Sequence, residues 1–140
     1  MPDFFDGHSH YMPKVDDGAA SDEMTSQMLQ IAYEEGIRQI ILTPHYRKPY
    51  FTTPREDIDR GYVRVREIAG QVRPEMKIYL GNEVHYHPDL LLWLQEGRVH
   101  TMAGTSYVLI EFSMNDTYDL IYNCLRTLIA AQYRPVVAHV

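Results

Sequence analysis

Apolar residues in this chain fall into two alternating kinds of segment. Five short runs are rich in the β-branched and aromatic residues that favour strands: PDFFDGHSH, RQIILTPH, KIYLGNE, SYVLIE and RPVVAH. Between them the apolar positions recur at helical spacing. Ser21 predicts a helix N-cap, with Asp22 and Glu23 at the positive end of the dipole. Met24, Met28, Ile31 and Ala32 form its expected buried stripe, and Gly36 closes it. Thr53-Pro54-Arg55-Glu56 reads as a capping box with proline at the first helical position, followed by Ile58, Tyr62, Val65, Ala69 and Val72 on one face. A short third helix is expected from Pro88 to Glu96, ending at Gly97. A fourth starts near Asn115 and presents Leu120, Ile121, Cys124, Leu125, Leu128 and Ile129. The order β-α-β-α-β-α-β-α-β predicts an α/β fold around a parallel sheet, in one domain over residues 1–140, with the fifth strand left at an open edge.

Every one of the five runs ends in a histidine or a carboxylate: His8 and His10, His45, Glu83, Glu111 and His139. In α/β barrels the C-terminal strand ends form the active-site face. His8 and His10 are two apart, so an extended backbone points both side chains the same way. Histidine with Asp or Glu, and no cysteine beside them, is a donor set for divalent Mn, Fe or Zn. Singly, each of these residues also fits an ordinary polar position at a loop entrance. Together they do not, because carboxylates clustered at buried strand ends need a cationic partner. Asp16 and Asp17 either add a ligand from the first loop or form a plain turn with Gly18. His85, His87 and His100 suit exposed or capping roles, with His85 close enough to Glu83 to support it or touch substrate. Arg47, Lys48 and Arg55 are either an anion-attracting rim or a solvated loop and helix cap.

Composition narrows the function classes. A net charge of -6 argues against a nucleic-acid or membrane-surface binder, either of which favours a basic face. No apolar run reaches the length of a membrane span and no signal segment opens the chain, so membrane insertion is not expected and a cytoplasmic location is. The single cysteine rules out an internal disulfide. Cys124 has Ala130, not Arg, six positions on, which excludes a thiol phosphatase loop. No Gly-rich phosphate loop or nucleophile elbow is present.

The segments DGHSH, KVDDGA, TPHY, GNEVHY, LIEFS and VVAH occur in the order and spacing of the polymerase-and-histidinol-phosphatase (PHP) superfamily. More narrowly, the chain resembles the bacterial manganese-dependent protein-tyrosine phosphatases of capsule and exopolysaccharide operons. The resemblance runs from Phe4 to His139. It implies the first five βα units of a distorted (β/α)7 barrel and a cluster of three divalent ions, most readily Mn2+ with Fe or Zn as alternatives. It implies His8, His10, Asp16, His45, Glu83, Glu111 and His139 as metal ligands, with Glu83 bridging. Glu83, Glu111 and His45 are the expected catalytic residues. The implied substrate is phosphotyrosine on a bacterial tyrosine kinase that controls polysaccharide export. Members of the family continue with an Arg-containing segment and a late Asp-x-His pair, so a chain ending at Val140 is expected to be impaired and its open edge to favour association into homo-oligomers. Two other readings stay open: a non-catalytic metal-binding or interaction domain, and a phosphatase for a small ester such as histidinol phosphate.

Overall fold

The computed structural model describes residues 3–139. Strands β1 (Phe4–Ser9), β2 (Ile37–Leu42), β3 (His45–Tyr46), β4 (Lys77–Leu80), β5 (Glu83–His85), β6 (Tyr107–Glu111) and β7 (Arg134–Ala138) alternate with helices α1 (Asp22–Glu34), α2 (Arg55–Val72), α3 (Leu90–Gln95) and α4 (Tyr118–Ala130). A 3-10 turn spans Met102–Gly104. All strand pairings are parallel, in the orders β1-β2-β4 and β3-β5-β6-β7. The α/β prediction and its parallel sheet therefore hold. No helix among the described residues is long and apolar enough to cross a membrane.

The second and third predicted strands are each broken in two. Pro44 has no N–H to donate, so ladder pairing of the second strand stops at Leu42 and resumes at His45. The third is interrupted at Gly81 and Asn82. Single backbone bonds carry the sheet across both breaks, from Gly81 N–H to Leu42 C=O at 2.7 Å and from Glu83 N–H to Pro44 C=O at 3.0 Å.

Strand alternation sorts side chains between two faces. Ile40, Leu42, Ile78 and Leu80 face the helices and pack with Leu29, Ile58, Val65 and Ile68. Val84, Val108 and Ile110 pack with Trp93, Leu94 and Leu128 in a second cluster. Gln39, Ile41, Tyr79, Tyr107 and Val136 face the other way and line an apolar hollow. By the same parity Glu111 lies on the hollow side, at the C-terminal end. In β1 three residue steps, Asp6 to Ser9, oppose two in β2, Ile40 to Leu42. That bulge changes which residues face inward, from Phe5 to His8 and His10.

Three local expectations need correction. The buried face of α1 is Thr25, Leu29 and Ala32, whereas Met24 and Ile31 are exposed. Thr25 tolerates burial because its hydroxyl donates to Tyr11 C=O at 2.6 Å. The Thr53 capping box does not form: the Thr53 hydroxyl donates to Val15 C=O, and α2 starts at Arg55 without a side-chain cap. Helix α4 begins at Tyr118, two residues after Asp116, because Thr117 is its cap and accepts from Leu120 N–H.

Candidate metal centre

The strand ends bring all seven predicted ligands together. Three overlapping groups form, each with its donor atoms within 4.8 Å of one another: His8, Glu83 and His139; His10, Asp16 and His45; and His45, Glu83 and Glu111. Glu83 is the hub, with no exposed surface. Its Oε1 lies 2.8 Å from His8 Nε2, 3.0 Å from His10 Nε2 and 3.4 Å from His45 Nδ1. Its Oε2 lies 3.0 Å from His139 Nε2. Register explains the convergence, since His45 pairs with Glu83 and His85 with Glu111 on neighbouring strands.

Asp16 makes two kinds of contact in the first loop. Its Oδ1 accepts from Gly18 N–H at 2.8 Å, the expected turn. Its Oδ2 faces the site, 3.1 Å from His10 Nδ1, and accepts from His45 N–H at 2.9 Å. One carboxylate thus closes the turn and also faces the cluster. Asp17 is exposed, 3.5 Å from His45 Nε2. A Cβ on Gly18 would lie 2.4 Å from His10 C=O, so only glycine lets this loop close over the histidine.

Carboxylates and imidazoles face one another across the cluster and shift each other's protonation. Burial alone raises the Glu83 pKa, but hydrogen bonds from His10 and His8 outweigh it and hold the carboxyl at about 2. Burial opposes charge on His10, yet the bonds to Asp16 and Glu83 prevail and raise it to about 9. Asp16 is likewise lowered: burial raises it, but His10 and the N–H groups of His45 and Gly18 prevail. A proton on His10 thus places positive charge beside Asp16 and Glu83. Ring nitrogens and carboxylate oxygens with no thiolate form a donor set that Mn2+, Fe2+ or Zn2+ accepts, so these residues fit the ion cluster.

Sequence reasoning missed the layer beneath. Ser9, Thr43 and Asn82 are buried polar residues on three adjacent chain segments, each within two residues of a predicted ligand. Ser9 N–H donates to the Thr43 hydroxyl at 2.9 Å, and the Ser9 hydroxyl to Ile41 C=O at 2.7 Å. Asn82 donates to Pro44 C=O at 3.1 Å and accepts from His100 N–H at 2.7 Å. These side chains replace ladder bonds lost at the strand breaks. The visible signal was a polar residue interrupting each apolar run next to a ligand.

The remaining histidines divide. His85 is not exposed, and its contact is with Glu111 and not with Glu83: Nδ1 donates to Glu111 Oε1 at 3.2 Å and Nε2 lies 3.0 Å from the Ser113 hydroxyl. His87 caps Asp89 N–H, as expected. His100 is not exposed: its ring bonds Asp59 at 2.8 Å across 41 residues of chain.

Asn82→Ala is expected to leave Pro44 C=O and His100 N–H unpartnered, lowering stability by about 1–3 kcal/mol. Metal affinity should drop about 10–100-fold, as when an outer partner is lost. Urea denaturation and a calorimetric Mn2+ titration read the two effects; unchanged affinity would remove Asn82 from the support of His45 and Glu83.

Comparison with known proteins gives a consistent picture. Tyrosine-protein phosphatase CpsB of Streptococcus pneumoniae is 38% identical over 135 residues, covering 96% of this chain and 56% of that protein. Tyrosine-protein phosphatase YwqE of Bacillus subtilis is 27% identical over 141 residues, covering 96% and 53%. This chain thus spans about half the length of the curated relatives it matches. A solved structure from work on YwqE of Bacillus subtilis and CpsB of Streptococcus pneumoniae, described as unique metal-dependent tyrosine phosphatases, superposes with a TM-score of 0.89. It covers 97% of this chain and 55% of its own at 24% identity, and so shows a shared fold. The family model for capsular polysaccharide synthesis, CpsB/CapC, matches residues 4–140, and the chain belongs to that family.

Proposed function

We propose that this chain carries the metal-binding face of a protein-tyrosine phosphatase that hydrolyses phosphotyrosine on a bacterial tyrosine kinase regulating capsule or exopolysaccharide synthesis. The observation that carries the reading is the meeting of seven side chains with nitrogen and oxygen donors in three overlapping groups, two of which share the buried Glu83 carboxylate. The names of the relatives support the phosphotyrosine substrate. On this reading residues 1–140 are the first five βα units of a distorted (β/α)7 barrel acting in the cytoplasm, where a kinase tail is met.

His8, His10, Asp16, His45, Glu83, Glu111 and His139 would hold the ions, with Mn2+ preferred over Fe or Zn. Divalent ions bound there supply positive charge to the phosphoryl oxygens and lower the pKa of a water. The chain's own residues do the positioning. His45 is fixed by stacking on His10, 4.4 Å between centroids, and by its N–H bond to Asp16. Glu111 is oriented by His85 and turns Oε2 toward His139 at 3.8 Å. Glu83 is held ionised, ready to bridge. The cleft above them measures about 430 Å³.

Mn2+-dependent phosphate release from a phosphotyrosyl peptide should exceed that from histidinol phosphate. The reverse preference would move the chain to small esters. Tight Mn2+ binding without release from either would favour a non-catalytic metal domain. On the described residues β1 and β7 each pair on one side alone, which supports self-association through these edges. Light scattering over a concentration series should show the mean mass rising; a constant monomer mass would overturn this.

A further inference from the structure

The rim of the cleft holds two residues that the metal centre leaves unexplained. Arg47 and Phe51 line it beside His10, Asp17, His45, Glu111 and His139. Among the described lining residues Phe51 is the only one with a hydrocarbon side chain, and Arg47 the only permanent cation. Their placement follows from the backbone. Arg47 N–H donates to Phe51 C=O at 2.9 Å and Phe51 N–H to Arg47 C=O at 2.8 Å, an isolated antiparallel bridge. Residues directly opposite in such a pair project from the same face. Here that face is the cleft. The Phe51 ring stacks on His45 with centroids 5.7 Å apart, so a phenyl wall rises directly from the ligand floor.

Neighbouring cations are engaged elsewhere. Lys48 lies over the Trp93 ring at 5.1 Å, and Arg55 bonds Gly97 C=O and lies 3.9 Å from Asp59. Asp17 on the same rim faces His45, at 3.5 Å, and makes no ion pair with Arg47. Of the three basic residues singled out in the sequence, Arg47 is the one at the cleft. A guanidinium pairs with phosphoryl oxygens, and a phenyl face takes an aromatic ring in offset or edge contact.

We propose that Phe51 and Arg47 are the specificity wall of this site, Phe51 selecting aryl over alkyl phosphate esters and Arg47 drawing the phosphoryl group in whatever its substituent. The inference rests on the phosphatase reading and deepens it by assigning the choice of tyrosine to one side chain. Phenylphosphonate and methylphosphonate, which cannot be hydrolysed, separate the two contributions. On the Mn2+-loaded chain, calorimetry should show phenylphosphonate bound about tenfold more tightly than methylphosphonate. Phe51→Leu, which keeps apolar bulk, should cut that ratio to about threefold with methylphosphonate affinity unchanged; Phe51→Ala should abolish it. Arg47→Gln should weaken both ligands alike and keep the ratio.

Equal affinities in the unaltered chain, or a full ratio in Phe51→Leu, would overturn the role of Phe51 while leaving the phosphatase reading intact. Loss of both ligands in both Phe51 variants would assign Phe51 to holding His45 and overturn it too. Unchanged binding in Arg47→Gln would overturn the role of Arg47. Failure of both phosphonates to bind the loaded chain would sink the phosphatase reading, and this inference with it.

Discussion

Replacing Glu83 by Gln is expected to strip the metal centre while leaving the backbone in place. The side chain belongs to two of the three donor groups, and its oxygens face four imidazoles. Glutamine matches the shape but removes the charge and turns one acceptor into a donor. That NH2 would then point at ring nitrogens that themselves donate. Mn2+ stoichiometry should fall by at least one ion per chain. The remaining affinity should drop by more than the 10–100-fold expected of an outer partner such as Asn82. In chelated protein the half-buried His10 loses a hydrogen-bonded counter-charge, which should lower stability by about 1.5–3 kcal/mol. Elemental analysis and urea denaturation read both effects. Retention of the full ion complement in Glu83→Gln would remove Glu83 from its place as the hub.

The second large effect is a reversal of pH dependence on metal loading. His10 carries a folded pKa of about 9 against an ordinary 6.5, so between these values the folded chelated chain binds more protons than the unfolded one. Its contribution is full below pH 6.5 and is lost as pH rises toward 9, a decline of about 3 kcal/mol. Glu83, held at about 2 against 4.5, contributes above pH 4.5 and is lost as pH falls toward 2. The two shifts share the His10–Glu83 contact, so they mark the two edges of one plateau and do not add. In the loaded chain His10 must be neutral to ligate, so ions compete with protons and affinity rises with pH. Melting temperature should therefore fall from pH 6.5 to 8.5 in chelator and rise over the same range in saturating Mn2+. Slopes of the same sign would show that His10 is not a ligand.

The cluster of candidate ligands was legible because its signal is categorical: a histidine or carboxylate at the C-terminal end of a β-branched run stands out in any register. The helix faces were less legible because burial there depends on partners. Thr25 reads as surface until Tyr11 C=O is seen to take its hydroxyl. Thr53 reads as a cap, yet its hydroxyl serves a loop 38 residues away. His100 reads as exposed because Asp59, its partner, is 41 residues away in sequence. The strand breaks were written at Pro44 and Gly81, but a pattern of apolar runs smooths over single residues. The rim pair Arg47 and Phe51 depends on a backbone bridge that side-chain periodicity does not report.

The buried polar layer of Ser9, Thr43 and Asn82 has a consequence for how this fold can vary. It works as a bulkhead between a dry core and a wet, charged cleft. Strain or charge introduced on the cleft side meets side-chain bonds that are local to the breaks, while the β2-β4 ladder and its helices lie on the other side. Residues above the bulkhead can be exchanged to suit a different anion while the hydrophobic clusters below keep their packing, which makes the cleft the part of the molecule most open to a change of trade.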